Sequence, residues 1–81
     1  MSATARPNDD LRALGAAIRR LRMVKQMSQE QLSLEAGLHR NYVGRIERGE
    51  LSPTFGPLVA IGRALDVAPD ELMRLYMLER K

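Results

Sequence analysis

Arg40, Asn41 and Arg45 fall on the polar side of one short amphipathic segment. Arginine presents a planar fork of N–H donors that matches the O6 and N7 edge of guanine, and an asparagine carboxamide matches the N6 and N7 edge of adenine. A protein delivers such groups to the major groove on a helix held at a fixed angle by the helix before it. The stretch Ser28 to Gly49 has that form: a short helix, a turn at Gly37 and a second short helix bearing the three residues. It is expected to read DNA.

Other chemistries find little support. The chain has no cysteine, so neither a disulfide nor a thiolate metal site can form. His39 is the only histidine and has no carboxylate cluster at ligand spacing nearby, so no metal and no cofactor are expected. It reads better as a helix-start residue able to bond a backbone amide or a phosphate. Ser28 and Ser33 have no partnered base, and there is no paired acid and base or phosphate-cradling glycine loop. No catalytic residue is assigned, and an enzyme is the weakest reading.

Eighty-one residues support one domain with a modest core, so association with a partner is a natural source of added stability. The net charge of +3 is unevenly placed. Residues 12–48 carry eight Arg and Lys against three Glu, while residues 49–81 carry four against five acidic groups. The basic excess thus sits with the candidate DNA-reading segment, as a polyanionic partner would require. The first dozen residues lack the apolar core of a signal peptide, and no apolar run approaches a membrane span. The cytoplasm is the expected location, with no membrane partner.

Five helices must position these groups. Residues 1–8, with Pro7, read as a flexible arm; residues 9–81 read as a single domain. Asn8 or Asp9 caps a first helix from about Asp10 to Lys25, with Leu14, Ile18 and Leu21 as its buried stripe, backed by Leu11 and Ala17. Ser28, with Gln31 three residues on, makes a capping box for the second helix, and Glu30 suits the dipole of its first turn. Leu32 and Ala36 face inward, Gly37 turns the chain, and Leu38 plugs the space beneath. A third helix runs from about Arg40 to Glu47, with Val43 and Ile46 inward and Gly49 closing it. Thr54 caps a fourth from Phe55 to Leu65, with Gly56 and Pro57 in its first turn and Leu58, Ile61 and Leu65 inward. Pro69 opens a fifth to about Glu79. No segment alternates with a period of two, so the fold expected is all-α and compact.

Along this framework the residues Ile18-Arg19-Arg20-Leu21-Arg22, Met27-Ser28-Gln29-Glu30-Gln31-Leu32, Ala36-Gly37-Leu38, Ile46-Glu47-Arg48-Gly49, Ser52-Pro53, Ala64-Leu65-Asp66-Val67 and Pro69-Asp70-Glu71-Leu72 form a recognisable series. Residues 11–75 resemble, without a gap, the Cro and lambda-repressor-like (XRE-type) family of bacterial and phage helix-turn-helix transcriptional regulators. Chain length makes the protein similar to stand-alone controller proteins of restriction–modification systems and to small phage repressors. The resemblance implies a five-helix domain with the helix-turn-helix at its second and third helices, and a recognition helix at about 39–48. It implies that Arg40 and Asn41 reach base edges, with Arg45 one turn further along. Gln29, His39, Tyr42, Arg48 and Arg19 or Arg20 then become candidate backbone contacts, and Arg22 and Glu47 an ion pair tying the first helix to the end of the third. Two positions depart from the family pattern: His39 stands where Ser, Thr or Asp usually caps the third helix, and Gly44 lies mid-helix. Gly44 either admits the DNA backbone or reflects packing.

The last helix, about 69–79, is apolar nearly all round. Leu72 and Leu75 can be buried within one domain, which leaves Met73, Tyr76 and Met77 as an association surface that Leu51 and Phe55 can join. A two-fold homodimer on a pseudo-palindromic operator in double-stranded DNA is the expected assembly, with RNA polymerase a candidate further partner. Two alternatives keep the fold and change the role: an antitoxin-type regulator whose main partner is a toxin protein, and a protein–protein adaptor with a retired DNA face.

Overall fold

A computed structural model describes residues 7–80 as five helices: α1 (Pro7–Val24), α2 (Gln29–Glu35), α3 (Tyr42–Glu47), α4 (Phe55–Leu65) and α5 (Pro69–Glu79). Among the described residues there is no strand, and no helix is long and apolar enough to cross a membrane. α1 packs on α3 and α5, α2 on α3 and α4, and α4 on α5. Ile18, Leu32, Val43, Ile46, Ile61, Leu65 and Leu72 form the closed core. Leu14, Leu21, Ala36, Leu38, Leu58 and Leu75 pack around it, half-buried. The inward stripes expected from periodicity are the ones that meet.

Two helix starts differ from expectation. α1 begins at Pro7 rather than near Asp10, because proline at the first helical position lacks only an N–H that would have no intrahelical acceptor. The expected arm therefore gives up Pro7 and Asn8 to the helix, and residues 1–6 lie outside those described. α3 begins at Tyr42 rather than Arg40. The Tyr42 N–H closes a tight turn onto the His39 carbonyl at 2.9 Å, and Asn41 has φ −95° and ψ 0°, which places Arg40 and Asn41 in the turn leading into the helix.

The ends of four helices share one device. After α2 the Leu38 N–H reaches the Ser33 carbonyl at 2.8 Å and the Gly37 N–H reaches Leu34 at 2.9 Å, with Gly37 left-handed at φ 74°. Gly49, also at 74°, does the same after α3. These are Schellman closures, which require a left-handed residue. Gln26 after α1 (φ 58°) and Asp66 after α4 (φ 59°) fill that role without glycine. The capping box at α2 forms as expected: Gln31 N–H donates to Ser28 Oγ at 2.9 Å, and Ser28 N–H to Gln31 Oε1 at 3.4 Å. Thr54 occupies the N-cap of α4 without a side-chain bond.

Gly15 brings α1 and α3 into backbone contact. A Cβ there would collide with the Ile46 carbonyl oxygen and lie 2.9 Å from Glu47 Cα, so only glycine permits this approach.

Candidate nucleic-acid interface

α3 is held at its far end by a network of charged and polar groups. Glu47 Oε2 accepts from Arg22 Nε at 2.7 Å and its Oε1 from Arg22 Nη2 at 3.0 Å, a two-pronged pair. Arg22 Nη1 also donates to the Met27 carbonyl at 2.7 Å, so one guanidinium joins α1, the turn after it and α3. The side chains are only 12 % and 3 % exposed. Hydrogen bonding to Glu47 holds the Arg22 guanidinium above its ordinary pKa, against the opposing effect of burial. The expected pair is present and enclosed.

Gln29 completes this network from α2, its Nε2 donating to Glu47 Oε1 at 2.9 Å. The carboxamide crosses over Gly44, where a Cβ would lie 2.9 Å from Gln29 Oε1 and 3.1 Å from Arg48 Nη1. Gly44 is buried, and its missing side chain is the space that Gln29 occupies. The glycine thus gives room to the ends of the Gln29 and Arg48 side chains. The second carboxamide proton of Gln29 has no acceptor among the described residues.

Along the outer side of α3 and the turn before it, Arg40, Asn41 and Arg45 are exposed and line one shallow polar cleft with Gln29, Glu30, Gly44, Arg48 and Glu50. Among the described residues, the side chains of Arg40, Asn41 and Arg45 have no hydrogen-bond or ion-pair partner within the chain. Arg48 differs, since its Nε donates to Glu50 Oε2 at 3.0 Å in a pair that is about half exposed on both sides. Glu50, which sequence reasoning passed over, places a carboxylate on the rim of the cleft and competes there for Arg48.

Other candidates lie apart from this cleft. His39 is exposed and its Nδ1 accepts the Asn41 N–H at 3.2 Å, but because α3 starts at Tyr42 the N-cap position falls to Asn41, and His39 lies two residues ahead of it rather than at the cap. Tyr42 is half-buried against the core. Arg19 is exposed over a depression lined by Ala16, Arg20, Met23, Val24 and Glu79, where Arg20 is engaged with Glu79 at 2.8 Å.

Of the residues expected at a subunit interface, Phe55 and Met73 share an apolar groove between α4 and α5 with Leu58, Val59, Val67 and Leu72. Phe55 is 79 % exposed, and Met77, one turn beyond Met73, is also exposed. Leu51 and Tyr76 are instead half-buried against the core. The Tyr76 hydroxyl donates to Asp10 Oδ1 at 2.8 Å, closing α5 onto α1. That bond, with burial acting in the same direction and Arg80 against it, holds the phenol above its ordinary pKa. Ser33 was also missed as a structural element: it is fully buried and bonds to both α2 and α3.

This geometry agrees with known relatives. The family described as Helix-turn-helix matches residues 18–72, more than half of the chain. The control protein C.BamHI of Bacillus amyloliquefaciens is 40 % identical over 60 residues, covering 73 % of this chain and 74 % of its own. A longer relative, the HTH-type transcriptional regulator y4dL of Sinorhizobium fredii, is 42 % identical over 60 residues, 69 % of this chain but 31 % of its own length. Among solved structures, the restriction–modification controller protein C.AhdI from Aeromonas hydrophila superposes with a TM-score of 0.75 at 41 % identity, over 78 % of this chain and 96 % of that one. The controller protein C.Esp1396I, solved as a tetramer in complex with its natural 35 base-pair operator, gives 0.79 at 28 % identity, over 88 % and 93 %. The chain belongs to the helix-turn-helix family of DNA-binding transcriptional regulators, with restriction–modification controller proteins among its relatives, and not to a family of enzymes.

Proposed function

We propose that two copies of this chain bind a pseudo-palindromic operator, each setting the turn at Arg40 and Asn41 and the start of α3 into a major groove. The two readers then lie on one side of the duplex, about 34 Å apart. The observation that carries this reading is the free polar cleft: three side chains suited to base edges, exposed together and unpartnered, along α3 and the turn that leads into it. Arg40 and Asn41 read bases and Arg45 extends the contact along the groove. Gln29, His39, Tyr42, Arg48 and Arg19 meet the sugar–phosphate backbone, which fixes register without choosing sequence. The homodimer forms through the α4–α5 groove, with Phe55, Met73 and Met77 exposed on it and Leu51 and Tyr76 packed behind. Operator binding by the related C.Esp1396I supports the same mode here. The complex works in the cytoplasm, beside or over a promoter, where RNA polymerase is its further partner.

Selection of bound duplexes from a random pool tests this directly, and an inverted repeat is the expected outcome. Against the selected duplex, Arg40→Ala should cost about 1–3 kcal/mol and flatten the preference at one or two base pairs. Equal weakening on all sequences would reduce Arg40 to a phosphate contact, and a pool without any enriched motif would remove sequence-specific readout altogether.

A further inference from the structure

α3 has six residues and no side-chain cap at Asn41, its N-cap position. A helix this short is marginal by itself, and the donors of its first turn have no acceptors within it. Here each of the first three is met from outside the helix. Asn41 N–H goes to the His39 ring at 3.2 Å and Tyr42 N–H to the His39 carbonyl at 2.9 Å. The third, Val43 N–H, is buried and donates to Ser33 Oγ of α2 at 3.0 Å, across ten positions of chain. Ser33 has no exposed surface, and its own proton goes to the Gln29 carbonyl at 2.9 Å. The hydroxyl is thereby oriented with a lone pair toward Val43. Arg22, Gln29 and Glu47 hold the far end of α3, while Ser33 holds the end that carries the readers.

We infer that Ser33 is the positioning residue for base readout: its hydroxyl caps α3 from the neighbouring helix and sets the placement of Arg40 and Asn41, three and two residues before its partner. The inference rests on the proposal that this turn enters the major groove. Removing the hydroxyl leaves a buried N–H without an acceptor, which the first turn of α3 can relieve only by shifting toward water. A shift of that kind disturbs paired hydrogen bonds to base edges more than contacts to phosphates, which long cationic side chains make over a range of positions. The loss therefore falls on discrimination rather than on general affinity.

The test compares the wild-type chain with Ser33→Ala in two measurements: amide hydrogen exchange, and affinity for the selected duplex against a scrambled one. Val43 should exchange about tenfold faster relative to Leu32 and Ile61, the selected duplex should bind about tenfold more weakly, and the scrambled duplex should change by less than about twofold. Ser33→Cys, similar in shape but a weaker acceptor, should fall between and serves at the same temperature if the alanine variant does not fold. Equal losses on both duplexes, or a Val43 amide as protected as those of Leu32 and Ile61, would overturn the role. A wild-type chain that prefers no duplex would sink the readout proposal and this role with it. A preference that survives Ser33→Ala unchanged would sink only the role of Ser33.

Discussion

The junction of α1, α2 and α3 is closed by directional bonds, whereas that of α4 and α5 is closed by aliphatic contact. Arg22, Glu47, Gln29 and Ser33 interlock the first three helices. No side-chain hydrogen bond or ion pair among the described residues joins α4 to α5, and an apolar groove lies open between them. Buried charge pairs often contribute little net stability, because desolvation offsets their attraction, but they hold one geometry and penalise others. Aliphatic contact tolerates small rotations. One half of the molecule is fixed in angle, and the other leaves an apolar surface open.

The largest effect should come from breaking the enclosed pair. Glu47→Ala leaves the Arg22 guanidinium buried without its carboxylate and frees Gln29, and should cost about 3–5 kcal/mol in urea denaturation. That is a large share of the roughly 5–15 kcal/mol by which native domains are stable. Glu50→Ala removes the same chemistry from a half-exposed pair and should change stability by less than about 0.5 kcal/mol. The Glu50 variant should bind DNA more tightly, because Arg48 is released for phosphate. Equal stability losses in the two variants would show that enclosure is not what distinguishes these pairs.

The open side of the comparison is tested by charge. Met73→Asp places a carboxylate in the α4–α5 groove and should raise the dimer dissociation constant by tenfold or more, at least about 1.4 kcal/mol, as read by sedimentation. Monomer stability should change by less than the dimer does, since Met73 is already 40 % exposed. An unchanged sedimentation mass at micromolar concentration would rule this groove out as the subunit contact.

Where the signals are local, the sequence foretells the structure well. The Ser28–Gln31 capping box, the left-handed glycines at 37 and 49 and the proline opening α5 each act through neighbours within a few residues, and all are found where expected. Arg22 with Glu47 is visible only through a family resemblance, because nothing in the chain between them, 25 positions from one to the other, marks the pair. Helical spacing puts the start of α3 two residues early, since it cannot show that His39 supplies both a ring nitrogen and a carbonyl to the turn before the helix. Ser33 and the Tyr76–Asp10 bond escaped notice for a related reason. Their partners lie ten and 66 positions away, and each depends on helices already packed. Gly15 gave no sign of its role because the backbone it meets belongs to α3.

Tyr76 joins the two halves through α1, and its contribution should be intermediate. Tyr76→Phe removes the bond to Asp10 and should cost about 1 kcal/mol at neutral pH. The folded phenol has a raised pKa, so its stabilisation is complete below the unfolded tyrosine value, near pH 10, and declines as pH climbs through the higher folded value. Wild-type stability should therefore fall more steeply than that of Tyr76→Phe at alkaline pH. Parallel alkaline limbs would mean that Asp10 does not favour the protonated phenol.

The smallest effect concerns the two left-handed residues that are not glycine, one after α1 and one after α4. A left-handed conformation costs about 1–2 kcal/mol for most side chains, but aspartate and asparagine reach it more readily. Glycine removes that strain while adding about 0.4–1 kcal/mol of unfolded-chain entropy. Gln26→Gly should therefore gain about 0.5–1 kcal/mol, and Asp66→Gly close to nothing, in parallel urea titrations. The Gln26 turn also presents the Met27 carbonyl to Arg22, so its looser glycine form tests how far the guanidinium alone can hold α1 to α3. A stability gain with undiminished duplex selectivity would leave the control of orientation to the side-chain bonds of Arg22, Glu47 and Ser33. A gain accompanied by lost selectivity would place part of it in the strained turn itself.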